Sequence, residues 1–445
     1  MKSITIPAGA EEILKQLNCA GYGAYLVGGC VRDCLMGRQP HDWDICTSAT
    51  PTEMLYLFRH DMVIETGLKH GTITVVKDDG GYEVTTFRVD GEYTDGRHPD
   101  EVRFVRHLEE DLARRDFTIN AIAMDADRNL YDPFGGAHDI VNRKIRCVGC
   151  PVDRFREDGL RILRAMRFAS TLGFTIDYET WNAIHLCREL LTKISAERIN
   201  SELCKLLAGD NVGNVLLAYT DVITTIIPEL APCVGFNQNN YYHIRTVWNH
   251  IVDTVERAPK EVRLPLLLHD IAKPNCYTED ERGGHFYGHP KFSAIMADDI
   301  LRRLKFDNAT RESTVELVLY HDAELVARRG AVKRWLNRIG KEQFFRLLDM
   351  QKADAESHTP GTMDKKLGAL VEVRELAANI LAEGECFTVK DLAIDGFDVM
   401  TIKGLKPGPE VGAILKYALE LVINEQLPNT DEALEKWLIE LKEVP

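Results

Sequence analysis

The stretch Leu26-Val-Gly-Gly-Cys-Val-Arg-Asp33, followed by His41-Asp-Trp-Asp44, decides the fold of this chain. It predicts a strand, a glycine turn, a short helix and a second strand that carries Asp42 and Asp44. Side chains at positions i and i+2 of an extended strand point to the same face, so the two carboxylates converge. Oxygen ligands beside a glycine turn suit Mg²⁺ and a nucleoside triphosphate. An Asp-rich surface turn is the alternative for the pair alone.

The composition indicates a globular protein of several domains. The chain has 445 residues, of which 45% are hydrophobic and 28% are charged, and this length predicts three or four domains. No apolar run reaches the ~18 residues that span a bilayer, and the N-terminal residues lack a signal-peptide core. The 11 cysteines are scattered, which favours a reducing compartment. We therefore expect a cytoplasmic protein without a membrane partner.

The charge of the chain is acidic overall but locally basic. A formal net charge of −15 argues against a general nucleic-acid coat. Residues 143–167 nevertheless carry eight Lys/Arg against three acids. Such a basic segment suits an enzyme that grips one phosphate-rich substrate in one place, and a solvated helix face is the alternative.

A third carboxylate and a phosphate cradle complete the first candidate site. Two β-branched runs on either side of Asp78-Asp-Gly-Gly81 predict a hairpin, and its second strand carries Glu83. Nucleotidyl transfer uses two Mg²⁺ ions held by about three carboxylates, so Glu83 is the candidate third ligand. The exposed face of an edge strand is the alternative. Gly28 and Gly29 let the backbone approach phosphate oxygens, which Arg32 can pair bidentately.

Four motifs follow one another along the first half of the chain. They are Gly28-Gly-x-x-Arg-Asp33, His41-Asp-Trp-Asp44, Arg114-Arg-Asp-Phe-Thr-Ile-Asn-Ala121 and Arg156-Glu-Asp-Gly-Leu-Arg161. In order and spacing they resemble the class II tRNA CCA-adding enzymes of the polymerase-β-like nucleotidyltransferase superfamily. The resemblance is strong over residues 20–235 and loose elsewhere.

The resemblance implies an activity. It implies stepwise addition of C, C and A to the tRNA 3′ end from CTP and ATP, without a nucleic-acid template and with release of pyrophosphate. Poly(A) polymerase is the nearest alternative. A metal-dependent phosphohydrolase with a degenerate head and an RNA-binding protein without catalysis are the others.

The resemblance also implies the residues that bind the nucleotide. These are Gly28, Gly29, Arg32, Arg115, Asp116, Asn120, Asp158, Arg161, Arg164 and Arg167. Among them, Asp158 and Arg161 are expected to hydrogen-bond the Watson–Crick edge of CTP or ATP. On a helix they would be neighbours at i and i+3 and would present an acceptor beside a donor fork. An ordinary helix salt bridge is the alternative. The segment Tyr93–Asp100 resembles a loop that is mobile in the family, and the presence of this loop favours full CCA addition.

A histidine cluster occupies residues 241–355. The stretch Leu266-Leu-Leu-His-Asp-Ile-Ala-Lys-Pro274 places His269 and Asp270 at the end of an apolar helix. With His250 before them and Asp354 after them, the order resembles the HD phosphohydrolase superfamily. Imidazole and carboxylate ligands suit a second divalent metal. The alternative is a structural relic that holds tRNA with or without a metal.

These patterns predict an α+β fold. We expect a small mixed-sheet nucleotidyltransferase head at residues 1–150 and an all-helical, nucleobase-selecting neck at 151–235. A helical HD-type body should follow at 236–358, and a helical, tRNA-binding tail at 359–445.

Overall fold

The structure, a computed structural model, describes residues 5–91, 102–239, 245–281 and 283–442. The chain forms two compact units, Met1–Pro228 and Glu229–Pro445. The loop predicted at Tyr93–Asp100 lies outside the described residues. The finer division into head, neck, body and tail stays a prediction.

The first unit contains a mixed sheet. In chain order the strands of this unit are β1 (Ala24–Val27), β2 (Ile45–Thr47), β3 (Met62–Ile64), β4 (Thr72–Lys77), β5 (Gly80–Thr86), β6 (Arg88–Asp90), β7 (Val102–Phe104), β8 (Ala123–Met124), β9 (Leu130–Tyr131), β10 (Lys144–Ile145) and β11 (Thr175–Ile176). The main sheet has the order β3-β4-β5-β2-β1-β8-β9. Strand β2 pairs parallel with β5 and antiparallel with β1, so the predicted mixed sheet is confirmed.

The predicted hairpin is β4–β5. Its pairing closes at Lys77 and Gly80, which leaves a two-residue turn of the kind that joins antiparallel strands tightly. Ile73, Val75 and Val84 are fully buried while their strand neighbours are more exposed, as a sheet with one packed face requires. The hairpin therefore anchors the sheet against its core.

The helices of the first unit begin before the sheet and continue beyond it. They are α1 (Ala8–Cys19), α2 (Gly29–Leu35), α3 (Pro51–Leu57), α4 (Leu108–Ala113), α5 (Gly136–Val141), α6 (Pro151–Glu157), α7 (Leu160–Leu172), α8 (Tyr178–Cys187), α9 (Ala196–Leu207), α10 (Val212–Ala218) and α11 (Thr220–Ile226). Helix α7 packs against α9, where the Ser170 hydroxyl donates to the Leu206 carbonyl at 2.7 Å. A Cβ on Gly209 would meet the Ser170 backbone at 2.5 Å, so only glycine permits this approach.

The second unit is largely helical, as predicted. Its helices are α12 (Val247–Arg257), α13 (Arg263–Leu268), α14 (His289–Arg303), α15 (Asn308–Tyr320), α16 (Arg329–Ile339), α17 (Lys341–Glu356), α18 (Asp364–Ala382), α19 (Gly396–Lys403), α20 (Pro409–Ile423) and α21 (Asp431–Glu440), with a hairpin of β12 (Thr278–Asp280) and β13 (Gly283–His285). Helices α19 to α21 share a core that includes Val399, Ile414 and Leu434. Among the described residues, no helix is both long enough and apolar enough to span a bilayer.

Candidate active site

The predicted carboxylates lie just before strand β2 and within strand β5 of the first unit. Strand β2 begins at Ile45, later than predicted, so Asp42 and Asp44 lie in the extended segment before it. Trp43 between them is buried while both aspartates are exposed, which places the two carboxylates on one face. The parallel register pairs Ile45 with Val84, and this brings Asp44 beside Glu83.

The structure contradicts one of the two interpretations of Glu83, the exposed face of an edge strand, and its role as a third ligand stays a prediction. Strand β5 lies between β4 and β2 and is therefore not an edge strand, yet Glu83 is exposed on its surface. Desolvation raises the pKa of Asp44, and the negative charges of Glu83 and Asp42 raise it further, while Arg115 opposes them. Three carboxylates that repel one another in this way form a site that a divalent cation would stabilise.

The glycine turn fits closely against an arginine. Gly28 has φ 79°, a left-handed conformation that favours glycine. A Cβ on Gly28 would lie 3.0 Å from Nη1 of Arg115, so the missing side chain also makes room for the guanidinium. The backbone N–H of Val27, at the end of β1, donates to the Asp44 carbonyl at 3.0 Å. This pairing holds the turn beside the carboxylates.

One buried aspartate that sequence reasoning missed holds the double arginine. Asp111, on α4, accepts hydrogen bonds from Arg114 at 2.8 and 3.0 Å and from Arg115 at 3.2 Å. The Asp111 side chain is 1% exposed. Burial raises the pKa of Asp111, but Arg115 and Arg114 lower it, for a net decrease. The two arginines follow Asp111 by three and four residues, at the end of α4, and this spacing was the signal in the sequence.

Replacing Asp111 with Asn is expected to destabilise the first unit by about 3 kcal/mol at pH 7, because two arginines lose a buried anionic partner. Hydrogen–deuterium exchange of the β2 and β5 amides measures this loss of stability within the first unit. Since the pKa of Asp111 is lowered by folding, the difference should shrink as pH falls below about 4. The exposed Glu109→Gln change on the same helix is the control, and equal protection in both variants would contradict the prediction.

A chain of side chains connects Arg32 to Arg164. Arg32 donates to Asn120 Oδ1 at 2.7 Å, and the Asn120 amide donates to Asp116 at 3.1 Å. Asp116 also accepts from Arg164 at 2.6 and 2.8 Å. Burial raises the pKa of Asp116, and Arg164 and Asn120 lower it to about 2. Both middle side chains are buried, so they position the two arginines.

The structure corrects the predicted placement of Asp158. Helix α6 ends at Glu157 and α7 begins at Leu160, so Asp158 lies in the extended joint between two helices and not on one helix face. Its carboxylate accepts from both terminal nitrogens of Arg198, at 3.2 and 2.7 Å. Arg161 instead donates to Glu157 at 2.6 Å. The alternative of a direct Asp158–Arg161 helix salt bridge is therefore not what the structure shows.

These groups line a cavity of ≈ 480 Å³ in the first unit. Its wall includes Asp44, Gly28 and Gly29 together with the residues Arg32, Arg115, Asp116, Asn120, Asp158, Arg161, Arg164, Arg167, Phe168 and Arg198. The Phe168 ring lies 4.1 Å from the Arg167 guanidinium and 5.2 Å from that of Arg32, as in cation–π contacts. Arg167 also contacts Glu202 at 3.0 Å. A cavity rich in arginine beside a carboxylate suits a polyphosphate.

Arg198 and Phe168 were missed as site residues. Arg198 lies 40 residues beyond Asp158 on another helix, so no local pattern connects the two. Phe168 belongs to the apolar periodicity of α7 and is buried, which is also typical of a core residue.

The histidine cluster assembles within the second unit. Nε2 of His250 lies 3.3 Å from Asp270 and 3.1 Å from Asp354, and Nε2 of His269 lies 3.2 Å from Asp270. These four predicted residues therefore meet, although α17 lies far from α12 and α13 in sequence. Burial lowers the pKa of His269, but Asp270 and Asp354 raise it, for a net rise to about 9. The same electrostatics attracts a divalent cation.

Three segments of the chain match known families. Residues 24–146 match the poly A polymerase head domain, residues 173–234 match the probable RNA and SrmB-binding site of polymerase A, and residues 291–438 match the putative domain 2 of tRNA nucleotidyltransferase. The CCA-adding enzyme of Levilactobacillus brevis is 36% identical over 426 residues, which are 96% of each chain. That of Bacillus velezensis is 36% identical over 96% of this chain and 97% of its own. The chain belongs to the CCA-adding enzyme family.

Solved structures agree with this assignment to the CCA-adding family. The Bacillus stearothermophilus CCA-adding enzyme in complex with CTP has a TM-score of 0.69 and 32% identity, and the match covers 97% of this chain and 96% of that one. The Thermotoga maritima CCA-adding enzyme complexed with tRNA shares the fold, with a TM-score of 0.61 at 19% identity over 99% of this chain and 97% of its own. The predicted nucleotidyltransferase and its α+β fold are thereby confirmed.

Proposed function

We propose that this chain adds C, C and A in turn to the 3′ end of tRNA, using CTP and ATP and releasing pyrophosphate at each step. The observation that carries the proposal is the meeting of Asp42, Asp44 and Glu83 beside the Gly28 turn. It occurs in a chain that is 36% identical to a CCA-adding enzyme over 96% of its length. Poly(A) polymerase activity, which would use the same three carboxylates, is the alternative.

We expect the three carboxylates to hold two Mg²⁺ ions, which would supply charge neutralisation at the attacking hydroxyl and the departing pyrophosphate. The donor set fits, since hard oxygen ligands converge on one face. Arg115 lies against the glycine turn, where it can pair with phosphate oxygens. Arg32 reaches the same cavity through its bond to Asn120. Together these cations would align the α-phosphate for attack by the tRNA 3′-hydroxyl.

Base selection is proposed to depend on Asp158 and Arg161. Cytosine and adenine both offer an exocyclic amine donor beside a ring-nitrogen acceptor, which an acceptor and a donor can read together. Arg198 holds both carboxylate oxygens of Asp158, and Glu157 holds Arg161, so each group is fixed before a base arrives. Arg164 and Arg167 line the same cavity and are expected to contact the same nucleotide.

The proposed activity assigns a role to each of several larger segments of the chain. We propose that residues 1–150 act as the catalytic head and residues 151–235 as the base-selecting neck. Residues 359–445 are proposed to help hold the tRNA body. A cytoplasmic location is expected, because tRNA and nucleoside triphosphates are found there.

Sequencing of product 3′ ends tests the proposed activity. Purified protein is incubated with tRNA transcripts that end before CCA, after C or after CC, and CTP, ATP or both are supplied. We expect each transcript to be completed to CCA and to be extended no further. Long A tails made without CTP would support the poly(A) polymerase instead, and termination at CC would contradict full addition.

A second candidate function belongs to the second unit. We infer that His250, His269, Asp270 and Asp354 hold one divalent cation and that this site hydrolyses a phosphoester. The convergence of their side-chain atoms within 3.7 Å supports the inference. Phosphate release from a model phosphoester in the presence of added divalent metal tests it. Release that persists in His269→Ala would contradict the inference, whereas release lost in Asp42→Asn would assign it to the head.

A further inference from the structure

The ring of Phe168 is the point where three arginines of the first unit meet. The guanidinium carbons of Arg167, Arg32 and Arg164 lie 4.1, 5.2 and 5.8 Å from the centre of this ring. Arg164 and Arg167 belong to α7, as Phe168 does, whereas Arg32 belongs to α2. The ring therefore collects cations from two distant parts of the sequence at the wall of the arginine-rich cavity.

The crowding of these guanidiniums is only partly offset by carboxylates. Each arginine has one acidic partner, and the pairs are Arg32–Asp33, Arg164–Asp116 and Arg167–Glu202. Burial lowers the pKa of Arg167, and Glu202 raises it while Arg164 lowers it further, for a net decrease. The carboxylate of Glu202 thus does not fully offset burial and repulsion at Arg167. The negative face of the Phe168 ring supplies further stabilisation.

An aromatic ring can hold a guanidinium without using its N–H donors. Stacking occupies the flat face of the guanidinium, while the N–H groups point outward in its plane. A centroid distance of 4.1 Å is short enough for Arg167 to stack on Phe168. Within the described part of the chain, Glu202 contacts Nε of Arg167, and the two terminal nitrogens donate no hydrogen bond. These donors stay available to phosphate oxygens in the cavity, where a second carboxylate would repel them.

A second aromatic residue fixes the plane of this ring. Phe117 and Phe168 have ring centroids 5.8 Å apart and an interplanar angle of 84°, the edge-to-face arrangement that aromatic quadrupoles favour. Phe117 is fully buried, and Phe168 is 7% exposed. Because a cation is attracted to the face of a ring and not to its edge, a fixed plane determines where the arginines lie.

We propose that Phe168 is a positioning residue that holds Arg32, Arg164 and Arg167 around the phosphates of the incoming nucleotide. This role rests on the nucleotidyl transfer proposed above and adds to it a residue that acts through the arginines. The affinity for a triphosphate should then depend on the electron density of the ring and not only on its size. The dependence should be the same whether or not the triphosphate carries a base.

Fluorinated phenylalanines test this dependence, because each fluorine weakens the negative face of the ring and changes its size little. The full chain is prepared with one, two or three fluorine atoms on the ring of residue 168. Calorimetry with Mg²⁺ present measures the Kd of CTP and of inorganic tripolyphosphate. We expect both Kd values to rise stepwise, by about tenfold with three fluorines, as loss of a cation–π contribution predicts. In CMP addition, KM for CTP should rise while kcat stays unchanged, since the arginines bind the phosphates before and during transfer.

Phe174 provides the matched control. It is buried just beyond the end of α7, and among the described residues no arginine lies over its ring. Three fluorines at position 174 should leave both Kd values unchanged. Circular dichroism checks that every variant folds.

The outcomes separate a positioning ring from a core residue and from a base contact. Equal Kd values across the folded Phe168 series would overturn the proposed role, because packing alone would then explain the ring. Weaker binding of CTP with unchanged binding of tripolyphosphate would also overturn it, since the ring would then act on the base. A parent protein that binds CTP but does not extend tRNA would contradict the proposed function, and the fluorine series would still decide the role of Phe168.

Discussion

Replacing Asp44 with Asn is expected to reduce incorporation of both CTP and ATP by about 10³-fold, equivalent to about 4 kcal/mol of transition-state stabilisation. Asp44 is the carboxylate that the register places beside Glu83, and the negative charges of Glu83 and Asp42 raise its pKa. The amide keeps the size of the side chain but removes the charge that would hold Mg²⁺. Single-turnover addition of CMP to a tRNA lacking CCA, at saturating Mg²⁺, measures the loss.

The control for this prediction is Asp78→Asn. Asp78 is an exposed aspartate in the turn of the β4–β5 hairpin, at the end of the strand pair and outside the Asp44–Glu83 site. The Asp78→Asn change should leave the rate of CMP addition unchanged. The Asp44→Asn and Asp78→Asn variants should bind tRNA equally. A rate for Asp44→Asn within tenfold of the parent would show that the Asp42–Asp44 pair does not hold a catalytic metal. Loss of tRNA binding in Asp44→Asn would instead show that the lower rate comes from weaker binding of the RNA substrate.

The convergence of Asp42 and Asp44 could be predicted from the sequence because its geometry is local. Alternation along an extended segment is enough to place Asp42 and Asp44 on one face, even though strand β2 begins only at Ile45. To place Glu83 beside these aspartates, the sequence analysis had to assume a strand pairing. The parallel β2–β5 register joins segments about 40 residues apart. The exposure of Glu83 was harder to predict, because it depends on what covers that face of the sheet at the middle of strand β5.

The contacts in the site that could not be predicted from the sequence are long-range ones. Arg198 reaches Asp158 from 40 residues away, and Arg164 reaches Asp116 from 48 residues away. No period of 2.0 or 3.6 residues connects such positions. The joint between α6 and α7 at Asp158 was also missed, since Glu157-Asp-Gly-Leu-Arg161 has no proline and a single glycine to mark it.

The histidine cluster shows the same division between local and distant information. The apolar run before His269 predicted a helix that ends at this residue, and α13 does end at Leu268. The sequence could not show that His289 and His321 face the second oxygen of Asp270. That arrangement depends on how α14 and α15 pack.

Replacing Asp158 with Asn is expected to lower kcat/KM for both CTP and ATP by about 100-fold and to raise the relative use of UTP. Arg198 donates to both carboxylate oxygens of Asp158, so an amide must direct its NH₂ group either at this guanidinium or at the base. An NH₂ group directed at the base removes the acceptor that the exocyclic amine of cytosine or adenine needs. An NH₂ group directed at Arg198 sets two donors against each other and displaces the side chain from its position. Uracil presents an acceptor at that position and would tolerate the donor.

Competition among the four nucleoside triphosphates on one tRNA substrate measures this change in preference. Asp153→Asn, an exposed substitution on α6, is the matched control and should keep the preference of the parent. Arg198→Ala should shift the preference in the same direction but less, because it releases the Asp158 carboxylate without removing it. If Asp158 were only a structural link between α6, α7 and α9, its replacement would slow all four nucleotides equally. The ratio of UTP to CTP use therefore separates base reading from support of the fold.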